Sequence, residues 1–64
     1  MMKTKAEIID QYLMPEYEHI KETVYFGRLR KKLIRMPEQI FIDFVSGVGF
    51  KLQPIIKNHF IITL

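Results

Sequence analysis

The phase of the apolar residues between Pro15 and Met36 constrains this chain more than any other feature. At about 100° of turn per residue, Tyr17, Ile20 and Val24 fall on one side of a helix drawn through the segment. Phe26, Leu29, Leu33 and Met36 fall on nearly the opposite side. One straight helix with a single buried face cannot satisfy both sets. The sequence therefore predicts a break between Ile20 and Phe26, an acidic loop through Glu16, Tyr17, Glu18 and His19, and a second helix over residues 23–36. Thr23 is a permitted N-cap for it, and Gly27 weakens its first turns by about 1 kcal/mol relative to alanine. A continuous helix covered on both faces, as in a dimer, is the competing arrangement.

That second helix concentrates the charge. Of the ten Lys and Arg in the molecule, Arg28, Arg30, Lys31, Lys32 and Arg35 lie within it, with no acid between residues 23 and 35. The preceding residues hold Lys3, Lys5 and Lys21 against Glu7, Asp10, Glu16, Glu18 and Glu22. The net charge of +3 is therefore modest, but its distribution is polarised. With Phe26, Leu29 and Leu33 facing inward, Arg28, Lys31, Lys32 and Arg35 turn outward and Arg30 stands at the flank. A surface of one sign attracts polyanions. Such a helix fits a major groove about 12 Å wide, where arginine meets guanine edges or phosphates. An ordinary solvated helix face has the same pattern.

Around this helix the punctuation is regular. Thr4-Lys5-Ala6-Glu7 has the spacing of a capping box, so a first helix is expected over residues 4–14, with Ile8, Ile9, Tyr12 and Leu13 as its buried stripe. Pro15 biases Met14 away from helical angles and should end it near Leu13. Pro37 stops the second helix. From Ile40 to Leu52 the β-branched and aromatic content, the alternation of Ile40, Ile42 and Phe44 with Phe41 and Asp43, and the paired Gly47 and Gly49 read as two strands joined by a tight turn. Both glycines would supply positive φ there. The tail over residues 53–64, rich in isoleucine, reads as a final strand or a docking segment.

Length and composition bound the function. Sixty-four residues make one small domain near the size at which apolar burial barely exceeds the chain entropy lost, so a partner or self-association into a homodimer is expected to help. The absence of cysteine removes disulfides and thiolate chemistry. No apolar run approaches the roughly 20 residues that span a bilayer, and the amino terminus lacks a signal-peptide core, so a cytoplasmic protein without a membrane partner is expected. His19 and His59 match no usual metal-ligand spacing, and no nucleophile accompanies the acids, so neither an enzyme nor a cofactor is expected. Gly47-Val48-Gly49 is not followed by the lysine and hydroxyl of a phosphate loop, which sets nucleotide binding aside.

These residues resemble the effector domain of OmpR/PhoB-type response regulators. Arg28-Leu29-Arg30-Lys31-Lys32-Leu33 matches that family's recognition-helix signature letter for letter. Ile42 to Leu52 is similar to its wing strand, with changes at Phe50 and Lys51, and Lys5 to Asp10 is similar to its first helix-turn-helix helix. The resemblance covers residues 4–52 and corresponds to the carboxy-terminal half of such a domain. The segment between Thr23 and Arg28 is about two residues shorter than usual, and Ser46 stands where the family carries a wing arginine. The resemblance implies an α+β fold, a small winged helix-turn-helix-like domain of two helices and a β-hairpin wing at residues 40–52, to which the tail beyond the family wing adds a C-terminal strand. It also implies a transcriptional regulator that binds double-stranded DNA. The candidate contacts are Arg28, Arg30, Lys31, Lys32 and Arg35 on the helix and Lys51 on the wing, for a salt slope near −4 to −5. The rival reading is a protein-binding module that docks on RNA polymerase or on an intact regulator through Glu16, Tyr17 and Glu18 and the apolar tail. A third reading, a membrane-surface helix, has too narrow an apolar seam for deep insertion.

Overall fold

The computed structural model describes residues 2–20 and 24–63; Lys21, Glu22, the expected N-cap Thr23 and the side chain of Ile20 lie outside them. Strand β1 (Met2–Thr4) leads into a helical run, α1, over residues 5–20. Then come α2 (Val24–Arg35), α3 (Glu38–Val48), β2 (Lys51–Ile56) and β3 (His59–Thr63). The three strands form one antiparallel sheet in the order β1-β3-β2. Among the described residues this is an α+β domain of broadly winged-helix-like plan, with three helices and a β-hairpin.

The first helix begins where the capping box places it. The Thr4 side-chain oxygen accepts from the Glu7 N–H at 3.2 Å, and the Thr4 N–H donates to Glu7 Oε1 at 2.9 Å. The expected end near Leu13 is corrected. An α turn at Lys5–Ile8 widens to a π-helical turn at Ile9–Leu13 and then tightens to a 3-10 segment at Met14–Ile20. In the wide turn the Met14 N–H reaches back to the Ile9 carbonyl, five residues away. This changes the ladder just before Pro15, whose missing donor would interrupt an ordinary α-helix. The expected acidic loop at Glu16, Tyr17 and Glu18 is therefore helical, with a kink at Tyr17 (φ −111°, ψ 20°).

A larger correction concerns residues 40–52. They form no hairpin: Glu38–Val48 is helical, and only Lys51 and Leu52 enter a strand. The segment carries two periods at once. Its alternation suits a strand, but Phe41, Phe44, Val45 and Val48 also recur at i, i+3, i+4 and i+7, and tertiary burial selects the helical set. Phe41 and Val45 are fully buried, Phe44 and Val48 pack beside them, and Asp43, Ser46 and Gly47 face solvent. Only Gly49 of the glycine pair has positive φ (119°) among the described residues. It closes α3 in a Schellman arrangement, with the Gly49 N–H donating to the Ser46 carbonyl at 3.1 Å and the Phe50 N–H to that of Val45 at 3.2 Å.

The hairpin lies further along the chain. β2 and β3 pair from Lys51↔Thr63 to Pro54↔Phe60 and, past a bulge, Ile56↔His59; Lys57 and Asn58 form the turn. Asn58 takes the left-handed region (φ 59°) that asparagine tolerates better than most residues. The tail therefore supplies the end of β2, the turn and the final strand β3, which is central in the sheet. The inward sheet face carries Leu52, Phe60 and Ile62 onto a core of Ile8, Ile9, Leu13, Met14, Leu33, Phe41, Val45 and Phe60. The Phe41 and Phe60 rings meet at 5.8 Å, and Tyr12 meets Phe50 edge to face at 5.3 Å.

Candidate nucleic-acid interface

Leu33 anchors α2 from below. It is fully buried, while Phe26, Leu29 and Met36 on the same side pack partly buried against the core. The geometry of a helix then decides where the cations go. Arg28, Lys31, Lys32 and Arg35 are all exposed, and among the described residues none of the four has an ion-pair partner. They form a continuous basic ridge, as their spacing requires.

Arg30 leaves that set. Its Nε donates to Asp10 Oδ1 at 2.7 Å and its Nη2 to Asp10 Oδ2 at 3.0 Å, a two-pronged contact between α2 and α1. The guanidinium holds the Asp10 carboxyl below its ordinary range, and the carboxylate raises the Arg30 pKa in return. Arg30 therefore braces the helix from its flank. Lys51 begins β2 at the open end of the hairpin, opposite Thr63.

Two open hollows flank the ridge. One, of about 520 Å³, is lined by Arg28, Lys31, Lys32 and Arg35 together with Met36, Pro37 and the exposed Ile40. The other, of about 410 Å³, is lined by Tyr17, Tyr25, Leu29, Arg28 and Lys32. Arg28 and Lys32 belong to both, and no acid among the described residues lines either. Tyr17, expected to serve a partner loop with Glu16 and Glu18, instead forms a wall of the second hollow. Glu16 and Glu18 are exposed on the 3-10 segment.

Sequence reasoning missed Lys5. Its Nζ donates to the Ile34 carbonyl at 2.7 Å and to the Met36 carbonyl, and lies 5.1 Å from the centre of the Phe41 ring. A cation is favoured at a helix C-terminus, so Lys5 caps α2 and fixes the end of the basic ridge against α1 and α3. Partial burial lowers its pKa. Its partners lie 29 and 31 residues away, a separation that no local motif reports.

Among the described residues no group of His, Cys, Asp and Glu is placed to hold a metal, and no helix is long and apolar enough to cross a membrane. No protein-family model, curated protein or solved structure matches this chain. The residue signature on α2 stands on a helix, as the resemblance implies. The stretch similar to a wing is α3 with its closing turn and the first two residues of β2, so Ser46, at the wing-arginine position, lies on a helix, and of the expected wing only Lys51 and Leu52 are in a strand.

Proposed function

We propose that this chain binds DNA, as part of a transcriptional regulator, by seating phosphates on the basic ridge of α2. The observation that supports this most is the ridge itself: Arg28, Lys31, Lys32 and Arg35 project from one helix whose opposite face is held by Leu33, with no acid among the described lining residues. Side chains fixed by a buried seam lose less freedom on meeting a polyanion than cations on a loose tail. Four cations, with Arg30 and Lys51 withdrawn from the set, imply a log–log salt slope of about −3 to −4 on duplex DNA, shallower than six contacts would give. Anisotropy of a fluorescent duplex between low and moderate salt measures it directly. A flat response, or no binding at low ionic strength, rules the reading out.

A protein-docking role is favoured by a different observation. Ile34, Ile55 and Ile56 are exposed and, with Pro37 and Pro54, line a groove of about 660 Å³ between the end of α2 and the hairpin. RNA polymerase or an intact regulator could seat an apolar side chain there. Exchange of Arg28, Lys31 and Lys32 for glutamate separates the two roles. Lost DNA binding with an unchanged partner pull-down supports the ridge, and the converse result from polar substitutions at Ile55 and Ile56 supports the groove.

A further inference from the structure

The second hollow has a composition that phosphate contacts alone do not call for. Tyr25 is 68% exposed, although a tyrosine ring of its size is worth burying. Tyr17, at the kink in the 3-10 segment, lines the same hollow together with Leu29. The lip is cationic, Arg28 and Lys32, and those two side chains also line the basic hollow on the ridge. Aromatic and apolar side chains therefore share one hollow with two cations of the basic ridge.

We propose that this hollow takes an unpaired nucleobase, so that the preferred ligand of the ridge is single-stranded DNA; the inference rests on the DNA-binding reading above. A base within a duplex already stacks on its neighbours and offers no free face. An unpaired base can lie against Tyr25 or Tyr17, and every base has a π-face, so the contact tolerates any sequence. Its own phosphates then fall beside Arg28 and Lys32, and the strand continues toward Lys31 and Arg35. Ile40, 54% exposed, ends that path with a second apolar contact. From Tyr25 to Arg35 the helix rises roughly 15 Å, enough for a short run of nucleotides. Charge complementarity selects this occupant over an apolar peptide, because two of the five lining residues are cations and none is acidic.

The test compares a 12-nucleotide oligo-dT, an oligo-U of the same length and a 12-base-pair duplex, each labelled, against the full chain and its Tyr25→Ala, Tyr25→Phe and Lys31→Glu variants. Tyr25 is exposed enough that its truncation leaves the fold intact, which far-ultraviolet circular dichroism verifies. The expected result is tighter binding of oligo-dT than of duplex. Tyr25→Ala should weaken oligo-dT by about 5- to 100-fold, with duplex affinity and salt slope unchanged, and Tyr25→Phe should retain it. Lys31→Glu should weaken both. Equal or tighter binding of oligo-U, with the same loss in Tyr25→Ala, supports the base hollow with RNA as its source. Duplex bound as tightly as oligo-dT, or an unaffected Tyr25→Ala, overturns the base hollow and leaves the ridge standing. Absence of binding to any of the three ligands overturns both.

Discussion

Gly47 and Gly49 sit two residues apart and look equivalent in the sequence, yet the structure gives their alanine variants opposite signs. Gly47 lies inside α3 with helical angles, and a Cβ built on it meets nothing within 4 Å. Alanine there removes backbone freedom from the unfolded chain and improves helix propensity, for a gain of about 0.5–1 kcal/mol. Gly49 also has open space around it, but its φ is 119°. A side chain there forces an L residue into a left-handed conformation, at a cost of about 1–2 kcal/mol. Because neither site has a steric neighbour, the difference is one of backbone alone. For a domain of this size, Gly47→Ala should raise the melting temperature by about 2–8 °C and Gly49→Ala should lower it by a similar or larger amount. Thermal melts at 222 nm, repeated with urea to check that the slope is preserved, read both. If the two glycines instead shared a hairpin turn, both substitutions would destabilise. A loss in Gly47→Ala comparable to that in Gly49→Ala would refute the helical assignment of residues 38–48.

Other expectations follow from single contacts. Lys5→Met should cost about 1–2 kcal/mol in urea denaturation, because the carbonyls of Ile34 and Met36 lose a charged donor at the end of α2; an unchanged midpoint would remove Lys5 from the account. Acid should weaken the fold: Glu7 is held below its ordinary value of 4.5 chiefly by the Thr4 backbone N–H, and Asp10 below 3.8 chiefly by Arg30. Stability from these depressed carboxyls is fully present above the ordinary values and disappears as pH falls through the lower folded ones. Melts from pH 6 down to pH 2 should therefore decline below about pH 4.5, and Asp10→Asn should flatten part of that decline. On DNA, Arg28→Ala should lower the duplex salt slope by about 0.9, whereas Arg30→Ala should leave the slope unchanged and act only on stability; equal effects would place Arg30 on the ridge after all.

What the sequence made legible was local. The Thr4–Glu7 box joins residues three positions apart, and both of its hydrogen bonds are present. The α2 seam repeats within one helix, so its phase alone placed Leu33 inside and Arg28, Lys31, Lys32 and Arg35 outside. Residues 40–52 were misread because their apolar positions satisfy both the strand and the helix period, and only the core, closing Phe41 on Phe60, separates the two. Pro54 lies within β2, which is at the sheet edge, where a missing donor is tolerated. Strand β1 has three residues and pairs with β3 some 55 positions later, beyond any local pattern. The Asp10–Arg30 brace and the Tyr17–Tyr25 hollow likewise join elements that the sequence presents separately.

The hairpin lies at residues 51–63, not at the 40–52 expected from the sequence. A wing beside the recognition helix would have shared the binding surface with α2, and its loss would weaken both. In the structure, the hairpin turn packs instead against the start of α1, where the Lys5 N–H donates to the Asn58 carbonyl at 3.0 Å. The same lysine holds the end of α2 through its side chain. Lys5 thus links the hairpin turn to the end of the ridge. Substitutions at the turn should accordingly change stability before they change affinity, whereas exposed substitutions on α2 should do the reverse. The basic ridge depends on the phase of a single helix, and that phase is the same whether residues 40–52 are strand or helix.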